Sequence, residues 1–171
     1  MRFAPDAVVI QGAIIEGDVT IGSGTVVHQF ATIRAAKGCS IVIGKFNIVE
    51  EFVVIENNGP EGSTLEIGND NTFQARCHIS ARQIGNNNIF GSFSVIAEGT
   101  TVTDMCHICP YGQYRIQFEP MAPRTVIYNG RMDRRTTSEA PLPNQTLCAA
   151  LSSQLKSFNK LLKPVDPPAA T

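Results

Sequence analysis

At 171 residues, 43% of them apolar, the chain has material for one continuous core but not for two unrelated ones. Lysine and arginine number 14 against 15 aspartate and glutamate, and the net charge of -1 offers no basic field to nucleic acid. The five cysteines are odd in number and unevenly spaced, as reduced thiols of a cytosolic protein are, and no apolar run approaches the roughly 20 residues of a membrane span.

The N-terminus, MRFAPDAVV, enters the pattern of the chain directly, without the basic flank, apolar run and cleavage site of a secretory leader. From Ile15 to Ile33 (IEGDVT, IGSGTV, VHQFAT, I) an aliphatic residue opens every sixth position. A helix repeats its apolar face about every 3.6 residues and a strand every two, so a sustained period of six requires another geometry. A parallel β-helix supplies it: each hexad makes one short strand and one corner, and three hexads close a triangular coil. The openers are Phe3, Val9, Ile15, Ile21, Val27 and Ile33, then Ile43, Val49 and Ile55 after an insertion around Lys37 to Ser40. A second insertion, Asn57 to Ser63, precedes Ile67, Phe73 and Ile79. The register then slips by one residue to Ile84 and continues through Phe90, Ile96, Val102 and Ile108. Pro110 to Pro120 reads as an excursion before the last openers, Met121 and Ile127. Small residues, Asn or Val at the fifth hexad position suit tight inner corners. The openers amount to about six coils and a prism roughly 30 Å tall over residues 1–128.

Residues 129–143 are polar and carry Arg131, Arg134 and Arg135, which read as solvated charges on a linker crossing the outside of the prism. Residues 144–163 place Leu147, Leu151, Leu155, Phe158 and Leu162 on one helical stripe, with Asn144 or Thr146 as N-cap and Pro164 as the stop. The fold class is therefore an all-β parallel β-helix with one C-terminal helix lying along a prism face. The tail, 164–171, reads as disordered.

Five stretches narrow the reading: GDVTIG (17–22) with TVVH after it, IVIGKFNIVEEFVVI (41–55), IGNDNTFQARCH (67–78), IGNNNIF (84–90) and RTVIYNGRMDRR (124–135). Hexads are common to many acyltransferases, but these motifs and insert positions together resemble the dynactin subunit 6 family, hexapeptide-repeat subunits of dynactin's pointed-end complex. The resemblance implies a left-handed prism, an exception to the usual right-handed crossover. It also implies hetero-oligomeric pairing with dynactin subunit 5, another hexapeptide β-helix, and other pointed-end subunits beside the actin-related protein cap. The implied role is a noncatalytic adaptor for dynein-driven transport along microtubules, cytoplasmic and cytoskeleton-associated.

Two enzyme classes share the hexad period. A γ-class carbonic anhydrase holds a divalent ion with three histidines and keeps a fourth position open for water. Aligned on IGSGTVV and IGNDNTF, the ligand positions carry Arg34, Ala75 and Ser80, while His28 falls where such enzymes have glutamine and Gln29 where they have an acid. His78 lies two or three residues from the missing ligands. A hexapeptide acyltransferase needs one histidine as general base, and His78 in CHISA reads as a lone surface histidine without an orienting partner. Cys106-His107-Ile108-Cys109 and Cys77-His78 resemble two halves of a zinc site, but their hexads are five apart, not a multiple of three, and so belong to different faces. No catalytic residue, cofactor or metal is expected.

A β-helix exposes unpaired backbone groups at its ends, and only Pro5 removes a donor from the first coil. That coil, with Phe3, Val8 and Ile10, is a candidate for edge stacking by another subunit. Tyr111, Tyr114 and Phe118, aromatics outside the repeat, form a second candidate surface.

Overall fold

The computed structural model describes residues 1–128 and 133–164, so Arg131 and the tail from 165 lie outside the described residues. The hexads fold as their period requires. Successive short parallel strands fall in turn on three sheets, each pairing with the strand three places later. The first sheet stacks the strands that end at Phe3, Ile21, Ile43, Ile67, Ile84 and Val102. The second stacks those ending at Val9, Val27, Val49, Phe73, Phe90 and Ile108, then Thr125–Tyr128. The third stacks those that carry the openers Ile15, Ile33, Ile55, Ile79, Ile96 and Tyr114. The result is a left-handed β-helix in which each opener turns inward and the residue before it outward.

Inside the prism the openers form one continuous apolar column, with Phe73 and Phe90 stacked 4.9 Å apart. The fifth hexad positions fill the inner corners, and one corner is held by polar side chains. Thr25, Asn47, Asn71 and Asn88 are fully buried one above another. The Asn71 backbone N–H and amide both donate to Asn47 Oδ1 (2.9 and 3.0 Å), and Asn71 Oδ1 accepts the same pair from Asn88, each at 2.9 Å. The Asn47 and Asn71 amides also donate to the Gly68 and Gly85 carbonyls, both at 2.9 Å. Full pairing lets asparagine occupy a core position. Gly17 sits at another corner with φ 81°, where a Cβ would fall on the Ala35 carbonyl, so only glycine lets those coils close together.

Several details depart from the sequence reading. Tyr114 is the opener of a regular hexad and only 1% exposed, which leaves 115–120 as the excursion. Its ring reaches inward while its hydroxyl donates to the Glu119 carbonyl at 2.8 Å, so tyrosine serves where an aliphatic residue was sought. Met121 bridges Val102, and with Ile127 it adds two sides of a further turn to six complete coils. At the slip, Ala81 turns inward in place of a fifth-position residue.

The linker is not wholly irregular: Asp133–Thr136 pairs antiparallel with Thr125–Tyr128 and finishes the second sheet. Arg134 lies over the Tyr114 ring, 5.3 Å from its centroid, rather than free in solvent.

The helix spans Gln145–Phe158 and stops short of Pro164. It lies on the second face, whose outward residues Val8, Val26 and Ile48 are apolar, and buries Cys148 there with Leu151 and Leu155 partly covered. Leu147 and Phe158 remain exposed, so the contact is narrower than the sequence stripe. Asn144 is the N-cap residue but makes no capping bond. Its N–H donates to Asp70 Oδ1 (2.9 Å) and its amide to Thr72 Oγ1 (3.0 Å), fastening the start of the helix to the prism. Beyond the helix the chain runs extended: Gln11 N–H donates to the Lys160 carbonyl and Leu162 N–H to the Val9 carbonyl, both at 2.8 Å. The C-terminal segment thus covers the edge of the first coil on the second face.

Candidate functional site

Two of the three histidines, His28 and His78, are tied to carboxylates within the fold. His28 Nδ1 lies 2.8 Å from Glu51 Oε1, in a groove of about 280 Å³ that Ile48, Glu50, Thr72 and the helix residues Leu147 and Leu151 complete. Burial pulls the Glu51 carboxyl up, but a bond from its own backbone N–H and the His28 contact outweigh it and hold it below the usual carboxylate range. His28 Nε2 is buried and has no hydrogen-bond partner among the described residues. Glu50 accepts the Ala75 N–H at 2.8 Å.

His78 is likewise not alone. Its Nε2 lies 2.7 Å from Glu56 Oε1 and 3.3 Å from Ser80 Oγ. A relay would need the acid on one ring nitrogen and the hydroxyl on the other. Both contacts converge on one nitrogen, and Ser80 Oγ also reaches Glu56 at 3.2 Å, so the three side chains form a closed cluster rather than a base aimed at a nucleophile. Burial raises the Glu56 carboxyl, while bonds from His78 and Asn58 more than offset it and leave it lowered.

Cys77-His78 lies on the third face and Cys106-His107 on the second, as the hexad count requires. Burial followed by the Arg135 charge lowers the His107 pKa. Burial raises the Cys77 and Cys106 thiols, and that of Cys148 to about 11, away from the thiolate form that binds metal. Arg34, at one aligned ligand position, donates to Glu16 at 2.6 Å. Among the described residues no three His, Cys, Asp or Glu side chains converge as metal ligands must.

The surface candidates divide. Val8 and Ile10, 0% and 2% exposed, are covered by the chain's own helix and C-terminal segment, and Tyr114 is in the core, so these three present no surface to a partner. Phe3 is half-buried at the open edge of the first sheet. Tyr111 and Phe118 are exposed, at 63% and 98%. The free edges at the N-terminal end are Arg2–Phe3 and Ile14–Glu16.

Tyr111 belongs to an array that sequence reasoning missed. At the corner between the second and third faces, the fourth hexad position carries Phe30, Phe52, Arg76, Phe93 and Tyr111 on successive coils, all with φ between 60° and 64°. Phe30 and Phe52 stack at 5.2 Å, Phe93 and Tyr111 at 5.0 Å, and the Arg76 guanidinium lies 4.6 Å from the Phe52 centroid and 5.9 Å from that of Phe93. All five side chains are exposed. The signal was available in the text, because these residues recur three places after every third opener: Val27, Val49, Phe73, Phe90 and Ile108.

No family model matches the chain. The fold is similar to that of a hexapeptide transferase family protein from Anaplasma phagocytophilum, with a TM-score of 0.71 over 92% of each chain at 14% identity, a likeness of fold alone. In sequence the chain is similar to dynactin subunit 6 of Danio rerio, 34% identical over 175 residues, or 96% of this chain and 89% of that one. It is also 34% identical over 172 residues to dynactin subunit 6 of Xenopus tropicalis, which spans 95% of this chain and 85% of its relative. An identity of this level sustained across nearly the whole of both chains, on one hexapeptide β-helix, means that this protein belongs to the dynactin subunit 6 family.

Proposed function

We propose that this chain is a noncatalytic structural and adaptor subunit of a dynactin pointed-end complex. It pairs there with dynactin subunit 5, beside the actin-related protein cap, and supports cargo attachment and dynein-driven transport along microtubules in the cytoplasm. The observation that carries the reading is the near-full-length identity to dynactin subunit 6. The two anchored histidines agree with it, since His28 Nε2 is buried and His78 is tied to Glu56 and Ser80. A rigid prism with distinct faces and ends suits a part whose work is to hold other parts in fixed relation.

The test is native mass spectrometry and elemental analysis of the full chain, alone and co-expressed with dynactin subunit 5. A one-to-one heteromer without stoichiometric zinc is the expected result. A metal-bearing homotrimer with carbonic anhydrase or acyltransferase turnover would overturn the reading.

A further inference from the structure

We propose that the ridge Phe30–Phe52–Arg76–Phe93–Tyr111, with the third face beside it, is where the β-helical partner seats side by side, its coils in axial step with those of this prism. The inference rests on the pairing proposed above and names its surface.

The three faces are not equivalent. The helix covers the second. The first turns Arg2, Thr20, Glu66 and Gln83 outward, Val42 interrupting an otherwise polar series. The third is uncovered and turns Ile14, Val54 and Val95 outward in alternation with Thr32, His78 and Gln113, directly beside the ridge.

The ridge is also oddly made. Left-handed φ suits glycine or asparagine, and the neighbouring corners mix Gly24, Asn87 and Gly99 with Phe46, Asp70, Met105 and Arg124 at such positions. Along this corner alone, five successive coils carry a ring or a guanidinium in that conformation, and these stack on one another. An unbroken, exposed row of stacked rings is an apolar patch of the kind that marks an interaction surface.

Spacing identifies the occupant. The ring separations of 5.2 and 5.0 Å follow the roughly 4.8 Å rise of stacked strands, so the ridge is a rigid ladder with one rung per coil. An extended peptide presents same-side residues about 6.8 Å apart and falls out of step within a few rungs, whereas a second parallel β-helix has the same rise and meets every rung alike. Charge supplies the remaining condition. The Arg76 guanidinium has no carboxylate or hydrogen-bond partner among the described residues, so the complementary surface is apolar with a carboxylate at the middle rung.

The experiment titrates dynactin subunit 5 against the full chain, as wild type, Arg76→Glu and the double variant Phe52→Asn with Phe93→Asn. Asparagine tolerates φ near 60°, so the double variant keeps the corner even if the charge reversal disturbs folding. Each variant is expected to bind at least tenfold more weakly while its circular dichroism stays that of the wild type. Folded variants that bind as tightly as the wild type overturn the ridge and leave the pairing standing. A wild-type chain that does not bind at all overturns both. Self-association of the wild type that disappears in the same variants would replace the partner with a second copy and overturn the occupant.

Discussion

At the scale of single residues, the buried asparagines show how polar atoms become structural. Asn71 is donor to one coil and acceptor for the next, so Asn71→Ala strands the Asn88 N–H, the Asn88 amide and the Gly85 carbonyl in a dry corner. With about 1 to 3 kcal/mol for each unsatisfied buried group, partly relaxed, the variant should lose about 3 kcal/mol in urea denaturation. A loss under 1 kcal/mol would mean that water enters the corner. Glu56 makes a pH-dependent contribution. Its folded pKa lies below the unfolded value of about 4.3, so its stabilisation is complete above that pH and disappears as pH falls through the lowered value. Glu56→Gln should therefore flatten the fall in melting temperature between about pH 4.5 and 3, with little change in the slope above pH 6. An equally steep acid slope in the variant would remove the His78 contact from the account of stability.

At the scale of elements, what the sequence made legible follows from what dictates each element. The hexads were readable because an inward opener and a small corner residue are required once per strand. Tyr114 escaped because it satisfies that requirement with a ring whose hydroxyl leaves the core, a solution outside the aliphatic pattern. Asp133–Thr136 could not be read at all: its side chains are polar, and it is specified by an open backbone edge rather than by its own apolar alternation. The helix was readable as a helix. Its seat is legible too, since only on the second face do apolar residues precede three openers in succession, as Val8, Val26 and Ile48. Cys148 is the buried centre of that seat. Cys148→Asp places a charge among these valines and isoleucine and should release the helix while the prism persists. Limited proteolysis would then cut between residues 137 and 160 and leave a resistant core, whereas unchanged resistance would mean that Asn144 and the C-terminal segment hold the helix without it.

At the scale of the whole molecule, the candidate surface was less legible than the fold, because a ridge is a property of stacking. Phe30, Phe52, Arg76, Phe93 and Tyr111 lie 17 to 24 residues apart and become neighbours only when every coil keeps its register, insertions included. The same stacking creates a hazard. A parallel sheet invites further strands at each end, and the second sheet is closed at both, by Asp133–Thr136 above and by Lys160 to Leu162 below. Deleting residues 160–171 should open the lower edge and give concentration-dependent self-association in light scattering. A deletion variant that stays monodisperse would mean that Arg2–Phe3 and Ile14–Glu16 already set the tolerance of that end for open edges.

The contact between Leu162 and Val9 also orders events during synthesis. Coils can form one after another as the chain leaves the ribosome, since each needs only the one before it. The first coil's edge on the second face nevertheless waits for a segment some 150 residues downstream, a delay of roughly 10 to 30 s at ordinary translation rates. Throughout that interval the nascent prism carries Val8 and Ile10 bare, which makes the earliest strands of the chain the last to be protected and the natural place for a chaperone to bind.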